Sequence, residues 1–214
     1  MTELENTPLV TAPHSKRKRG RWVAVILAVA AAGLGLWYGI AALLPENDIS
    51  APDWVQKELI EVDGAARRGT PLETVTAIAV HYVGNPNTTA MQNRIYFNQK
   101  GVSVSAHFIV GLEGEIIQCV PLNEISSATN YRNRDTISIE VCHPDATGKF
   151  NEKTYASLVK LVTWLCGEFH LDETDLLRHY DVTGKLCPLY YVQNPQAWAD
   201  FVKEIGRNLT EKSE

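Results

Sequence analysis

The longest apolar stretch of the chain comes early. Positions 22–44 carry no charged side chain, and they follow the basic run Lys16, Arg17, Lys18, Arg19 and Arg21. About 20 apolar residues suffice for a helix to cross a bilayer. Trp22, Trp37 and Tyr38 are aromatic, and Trp22 suits the headgroup level. The basic run predicts that the N-terminus stays in the cytoplasm and that the rest of the chain faces outward. The competing reading is a cleaved signal peptide, whose apolar region usually spans about 7–15 residues. This run is longer, and Leu43-Leu44-Pro45-Glu46 has no small-x-small cleavage site. Such sites occur at Ala28-Val29-Ala30 and Ala30-Ala31-Ala32, but they leave only a very short apolar region ahead of them. The expectation is a transmembrane signal anchor over 22–44, after a disordered, basic cytoplasmic tail over 1–21.

Beyond position 44 the pattern changes. Residues 45–71 are rich in Pro, Gly and charge and read as a linker and lead-in, with Trp54 and Leu59-Ile60 available to pack on the domain. Over 74–82 a β-branched apolar run predicts a buried strand, with His81 at its C-terminal end. Over 87–100 the reading is a helix, with Thr89 and Gln92 at capping-box spacing and Gly101 as its stop. Runs at 104–110 and 116–120 flank Gly111-Leu112-Glu113-Gly114, a hairpin signal. Over 136–142 apolar and polar residues alternate, so Ile137, Ile139 and Val141 share one face and Ser138, Glu140 and Cys142 the other. Helical periodicity marks 151–170 through Tyr155, Leu158, Val159, Val162, Leu165 and Phe169, with His170 placed to meet the helix dipole. A last helix is predicted over 196–208. Strands interleaved with helices argue an α/β domain over 72–208, followed by a short tail at 209–214.

Composition narrows the class a little. The 214 residues carry a net charge of −5, which gives no reason to invoke nucleic acid. Once the N-terminal segments are set aside, roughly 165 residues remain, enough for one domain with a sizeable core. There is no glycine-rich phosphate loop and no internal repeat. Of the four cysteines Cys119, Cys142, Cys166 and Cys187, an outward-facing domain permits a disulfide, but the sequence cannot choose partners and free buried thiols are the favoured reading.

The candidate chemistry lies in Ala79-Val80-His81-Tyr82 and in Arg178-His179-Tyr180-Asp181 through Lys185-Leu186-Cys187-Pro188. Two imidazoles and a thiolate are a donor set for a catalytic zinc whose fourth position is left to water. Lys185 precedes Cys187 by two residues, so an extended loop would point both side chains the same way. A cation beside such a metal suits attack on a carbonyl. The other reading of the same residues is a capped loop holding a buried cysteine. Glu140 reads either as an edge or Arg132/Arg134-paired carboxylate or as a functional group. His107 reads either as a cleft residue or as a satisfied core histidine, and His143 opens a loop.

These strings resemble the zinc-dependent N-acetylmuramoyl-L-alanine amidases of the type-2 amidase family, which includes phage-lysozyme-like amidases and peptidoglycan recognition proteins. The similarity is nearest to the cell-wall amidases of Gram-positive bacteria. It runs from about Val75 to Phe201 and rests also on Ser105-Ala106-His107-Phe108-Ile109-Val110, Gly114-Glu115-Ile116-Ile117-Gln118 and Asn133-Arg134-Asp135-Thr136-Ile137-Ser138-Ile139-Glu140. The resemblance implies a single mixed β-sheet flanked by helices. It implies one Zn2+ on His81, His179 and Cys187, with Lys185 stabilising an oxyanion. Some branches use a tyrosine at the position of Ala106; others use a glutamate on the strand over 136–141, which is Glu140 here, as general base. His107, Tyr82, Asn85 and Asn93 are the residues expected to line the substrate cleft. The implied reaction is hydrolysis of the bond between N-acetylmuramic acid and the L-alanine of the stem peptide in peptidoglycan. The implied setting is the outer side of the bacterial cytoplasmic membrane, as a single-pass, monomeric autolysin. A muropeptide-binding module without catalysis is the alternative, as in relatives that lack a zinc ligand.

Overall fold

The computed structural model describes residues 49–62 and 64–211. The predicted anchor over 22–44, with its basic flank, lies outside the described residues. No helix among the described residues is long and apolar enough to cross a membrane.

Among the described residues six strands form one sheet: β1 (Gln56–Lys57), β2 (Ala77–Val80), β3 (Phe108–Val110), β4 (Ile116–Gln118), β5 (Thr136–Val141) and β6 (Leu176–Arg178). Their order is β1-β4-β3-β5-β2-β6, and every neighbouring pair is parallel except the β3–β4 hairpin. The sheet is therefore mixed. Residues 45–71 are more than a linker where described, because β1 adds the sheet's edge strand beside β4 and Ile60 is fully buried. No alternation marks β1 in the sequence, since it is only two residues long and both are exposed.

Among the described residues five α-helices flank the sheet: α1 (Ala90–Phe97), α2 (Glu152–Phe169), α3 (His179–Thr183), α4 (Leu189–Gln193) and α5 (Pro195–Glu211). On one face, Ile78, Val80, Phe108, Ile137 and Ile139 pack with Leu158, Leu161 and Leu165 of α2 and Phe201 and Ile205 of α5. On the other, Ile109, Ile117 and Cys142 pack with Ala90 and Phe97 of α1. Both faces are covered, as parallel sheets require. Of the polar positions of β5, Thr136 and Ser138 are fully buried and Glu140 partly so.

The N-cap of α1 follows its sequence signal, whereas the helix stops at Asn98 and not at Gly101. Thr89 accepts from the Gln92 N–H at 3.1 Å while the Gln92 side chain accepts from the Thr89 N–H at 2.8 Å. Helix α1 is shorter than the predicted 87–100, because Asn87 adopts a left-handed conformation (φ 59°) and Asn98 caps the helix C-terminus. Asn151 caps α2, and His170 closes it in a left-handed conformation (φ 54°). All four cysteines are free and buried.

Candidate active site

The parallel register assembles the site. Val80 pairs with Ile139 on one side and with Arg178 on the other. One residue further toward the carboxyl ends, His81 lies beside Glu140 of β5 and His179, the first residue of α3. His81 N–H donates to Ile139 O at 2.8 Å and continues the ladder to this row. Residues 77, 79 and 81 alternate with Ile78 and Val80, so His81 leaves the α2 face and projects to the α1 face, as Glu140 does by the same parity. The carboxyl ends of parallel strands are where α/β sheets place their ligands.

Cys187 joins the row from the loop after α3, where Gly184 adopts a left-handed conformation (φ 77°) and turns the chain back. The loop is not extended: Cys187 N–H donates to Lys185 O at 2.7 Å in a tight turn. Lys185 nevertheless lines the same cavity as Glu140 and His179. Cys187 Sγ stands 3.7 Å from His81 Nδ1, and the ligand atoms of His81, His179 and Cys187 all lie within 4.8 Å of one another. Tetrahedral zinc with about 2.3 Å to sulfur and 2.0–2.1 Å to nitrogen needs ligand spacings of roughly 3.3–3.6 Å, so this group fits such an ion with little movement.

The outer nitrogens of the two imidazoles are also accounted for. His81 Nε2 is 3.1 Å from Thr129 Oγ1, and His179 Nε2 is 2.8 Å from Asn130 Oδ1. Donation from each Nε2 leaves each Nδ1 lone pair facing the cluster, the arrangement that metal-binding histidines adopt. Sequence patterns do not mark Thr129 and Asn130. Thr129 precedes and Asn130 opens a short 3-10 helix, Asn130–Arg134, just ahead of the β5 run. Asn133 Oδ1 accepts from the N–H of Ala128 at 3.1 Å and of Thr129 at 2.5 Å, and Asn130 holds a left-handed backbone (φ 56°).

Burial sets the electrostatics. It lowers His81 to about 3, with His179 and Lys185 adding to the effect. Burial and Lys185 lower His179 as well. Burial pushes the Cys187 thiol up to about 12, with Glu140 adding to it, while the Tyr82 backbone N–H and Lys185 oppose. Burial raises Glu140 to about 8, and Lys185 only partly offsets it. Glu140 Oε2 is shielded from solvent and has no hydrogen-bond partner among the described residues. Glu140 is not an edge carboxylate, because β5 lies between β3 and β2. It is not paired with arginine either: Arg132 binds Asp135 at 2.9 Å.

The cavity over this row measures about 1200 Å³ and is lined by Tyr82, Asn85, Asn93, Tyr96, Glu140 and Lys185, among others. Asn93 is half committed to structure, its amide donating to Thr88 Oγ1 at 2.9 Å and Thr89 O at 2.8 Å. His107, expected in the cleft, is instead a core histidine. Phe108 pairs with Ile139, which puts His107 beside Ser138, two residues beneath Glu140 along the strand. Its Nδ1 accepts from the Ser138 N–H at 3.0 Å, so Nε2 carries the proton and donates to Glu124 O at 2.9 Å. His143 stacks on Tyr82 with centroids 5.0 Å apart and stays outside the cluster.

A family model for N-acetylmuramoyl-L-alanine amidases matches residues 71–189, which contain the whole His-His-Cys group, Glu140 and Lys185. The chain belongs to the N-acetylmuramoyl-L-alanine amidase family. Its relatives within this amidase family include N-acetylmuramoyl-L-alanine amidase BlyA of Bacillus subtilis (strain 168), 31% identical over 72% of this chain and 47% of that protein. Another is N-acetylmuramoyl-L-alanine amidase CwlL of Bacillus licheniformis, 29% identical over 74% of this chain and 48% of that protein. The chain thus spans about half the length of the curated relatives it matches. Among solved structures, the catalytic domain of XlyA superposes with a TM-score of 0.63 at 28% identity, over 71% of this chain and 99% of that one. The mixed sheet with its flanking helices is therefore the fold of that catalytic domain.

Proposed function

We propose that this protein hydrolyses the amide bond between N-acetylmuramic acid and the L-alanine of the peptidoglycan stem peptide, with one zinc ion held by His81, His179 and Cys187. The observation that carries this reading is the convergence of those three ligand atoms beside a cavity that His179, Glu140 and Lys185 line, with Glu140 Oε2 buried and unpartnered among the described residues. When bound, zinc supplies a Lewis acid and an activated water at neutral pH. The residues do the rest. Thr129 and Asn130 hold the two imidazoles as Nδ1 donors. Cys187 binds as the thiolate, which a dication favours over the burial that otherwise keeps it protonated. Glu140, raised toward neutrality, takes the proton of the attacking water and returns it to the departing amine of L-alanine. Lys185 faces the carbonyl oxygen as negative charge develops on it. On the sequence of 22–44 we further infer a membrane anchor that leaves this domain outside, facing the wall.

The test is to incubate the full chain with zinc and purified peptidoglycan and to analyse the soluble products by mass spectrometry. Stem peptides with a free N-terminal L-alanine are expected, and a chelator should abolish them. One bound zinc per chain, measurable muropeptide binding and no product would replace the hydrolase by a binding module.

A further inference from the structure

Two neighbouring arginines on the segment before the family match have different surroundings. Arg67 is fully engaged: its guanidinium binds Glu124 through both carboxylate oxygens at 2.6 and 2.8 Å and donates to Ile60 O at 2.6 Å. Arg68 is exposed, lines the cavity, and has no hydrogen bond or ion pair among the described residues. The backbone that carries it is tied down on both sides. Ser105 Oγ donates to Ala66 O, Ser127 Oγ donates to Ala65 O at 3.0 Å, and Ile125 N–H donates to Thr70 O at 2.8 Å. Ser105 and Ser127 line the same cavity, so an uncompensated cation is presented to it from a backbone already in place.

The surroundings favour an anion there. Glu140 is the one acidic side chain lining the cavity among the described residues. The lining residues tied to the Arg68 segment, Ser105 and Ser127, are neutral hydroxyls. Ser127 also ties this wall to the metal centre. It precedes Asn130, the partner of His179, by three residues, a distance of at most about 11 Å in extended chain. A peptide leaving the metal centre reaches this wall within a few residues.

We propose that Arg68 binds a free carboxylate of the stem peptide, a few residues from the scissile bond, and makes the site selective for stems whose carboxylates are not amidated. The proposal rests on the amidase reading for its ligand. A guanidinium matches a carboxylate with two parallel hydrogen bonds, which an amide cannot reproduce with the same charge. Arg68 lies just ahead of the residues that the family model matches.

Two synthetic N-acetylmuramoyl tetrapeptides test it, one with free stem carboxylates and one with the same groups as primary amides. Binding is measured by calorimetry on the full chain carrying Glu140→Gln, with zinc supplied, so that the result does not depend on turnover. We expect the acid to bind about tenfold more tightly than the amide, and the preference to shrink as salt is raised. Arg68→Ala should abolish the preference by weakening the acid alone, and Arg68→Lys should retain part of it. In turnover, Arg68→Ala should raise KM for the acid and leave kcat unchanged. Equal affinities, binding of neither ligand, or an Arg68→Ala loss shared by acid and amide would overturn the proposal. Failure of the amidase reading would show separately, as absence of product from the unmodified protein.

Discussion

Asn130 bears on the metal centre through one oxygen and one backbone conformation, and these can be separated. Glycine adopts φ 56° without strain, so Asn130→Gly keeps the backbone and removes only the acceptor for His179 Nε2. Zinc affinity should fall about 10–100-fold, read by competition with a chromogenic chelator, while the melting temperature of the metal-free protein stays nearly constant. Unchanged affinity would show that the acceptor does not orient the imidazole. Glu140→Gln keeps the shape of the side chain and removes its base. It should retain one zinc per chain and slow turnover by roughly 10²–10⁴-fold; a near-normal rate would remove Glu140 from proton transfer. The side chains that touch the reaction are legible as residue types in short strings. Thr129 and Asn130 are not, because such a residue shows its role only when the partner it bonds is in place.

Among the elements, the hairpin turn between β3 and β4 has the strictest demand on a single position. Gly114 has φ 86°, and a Cβ there would meet Ser157 Oγ at 2.9 Å and the Lys153 carbonyl oxygen at 3.2 Å, both on α2. Ser157 Oγ also donates to Gly114 O at 2.7 Å, which locks turn and helix together. Gly114→Ala combines left-handed strain with a contact that backbone cannot relieve. It should cost about 1–3 kcal/mol, read as a lower denaturant midpoint with an unchanged slope. The sequence marks this turn through its two glycines, and it marks α2 and α5 through long apolar periodicities. It overruns β3 and α1, where the backbone conformation of a few residues ends the element inside an apolar or capped run. It misses β1, because a two-residue edge strand with both side chains exposed carries no pattern.

For the whole molecule, stability depends on pH through buried groups that never reach the cleft. His107 is fully buried, and burial lowers it from 6.5 to about 4, against the pull of Glu124. Between pH 4 and 6.5 the unfolded chain holds a proton on this residue and the folded chain does not. Stability is therefore present above pH 6.5 and is lost as pH falls toward 4, by an amount on the order of 3 kcal/mol at 1.36 kcal/mol per pH unit. His107→Gln removes the titrating group. The variant's unfolding free energy should decline less than the parent's across that window in parallel denaturant titrations. Parallel declines would mean that His107 does not carry this linkage.

The sequence by itself determined the α/β class, the N-cap of α1, the apolar faces of the long helices, and the set of residue types able to hold a metal. These are local properties, set by side-chain period and by short-range hydrogen bonding. Tertiary structure decided which of the histidines meet. The register of β5, β2 and β6 puts Glu140, His81 and His179 in one row. The same parallel geometry sets His107 two residues down its strand, where it is fully buried and its two ring nitrogens bond Ser138 and Glu124. Register joins residues about a hundred positions apart, and no periodicity within one segment records how far a neighbouring strand is shifted.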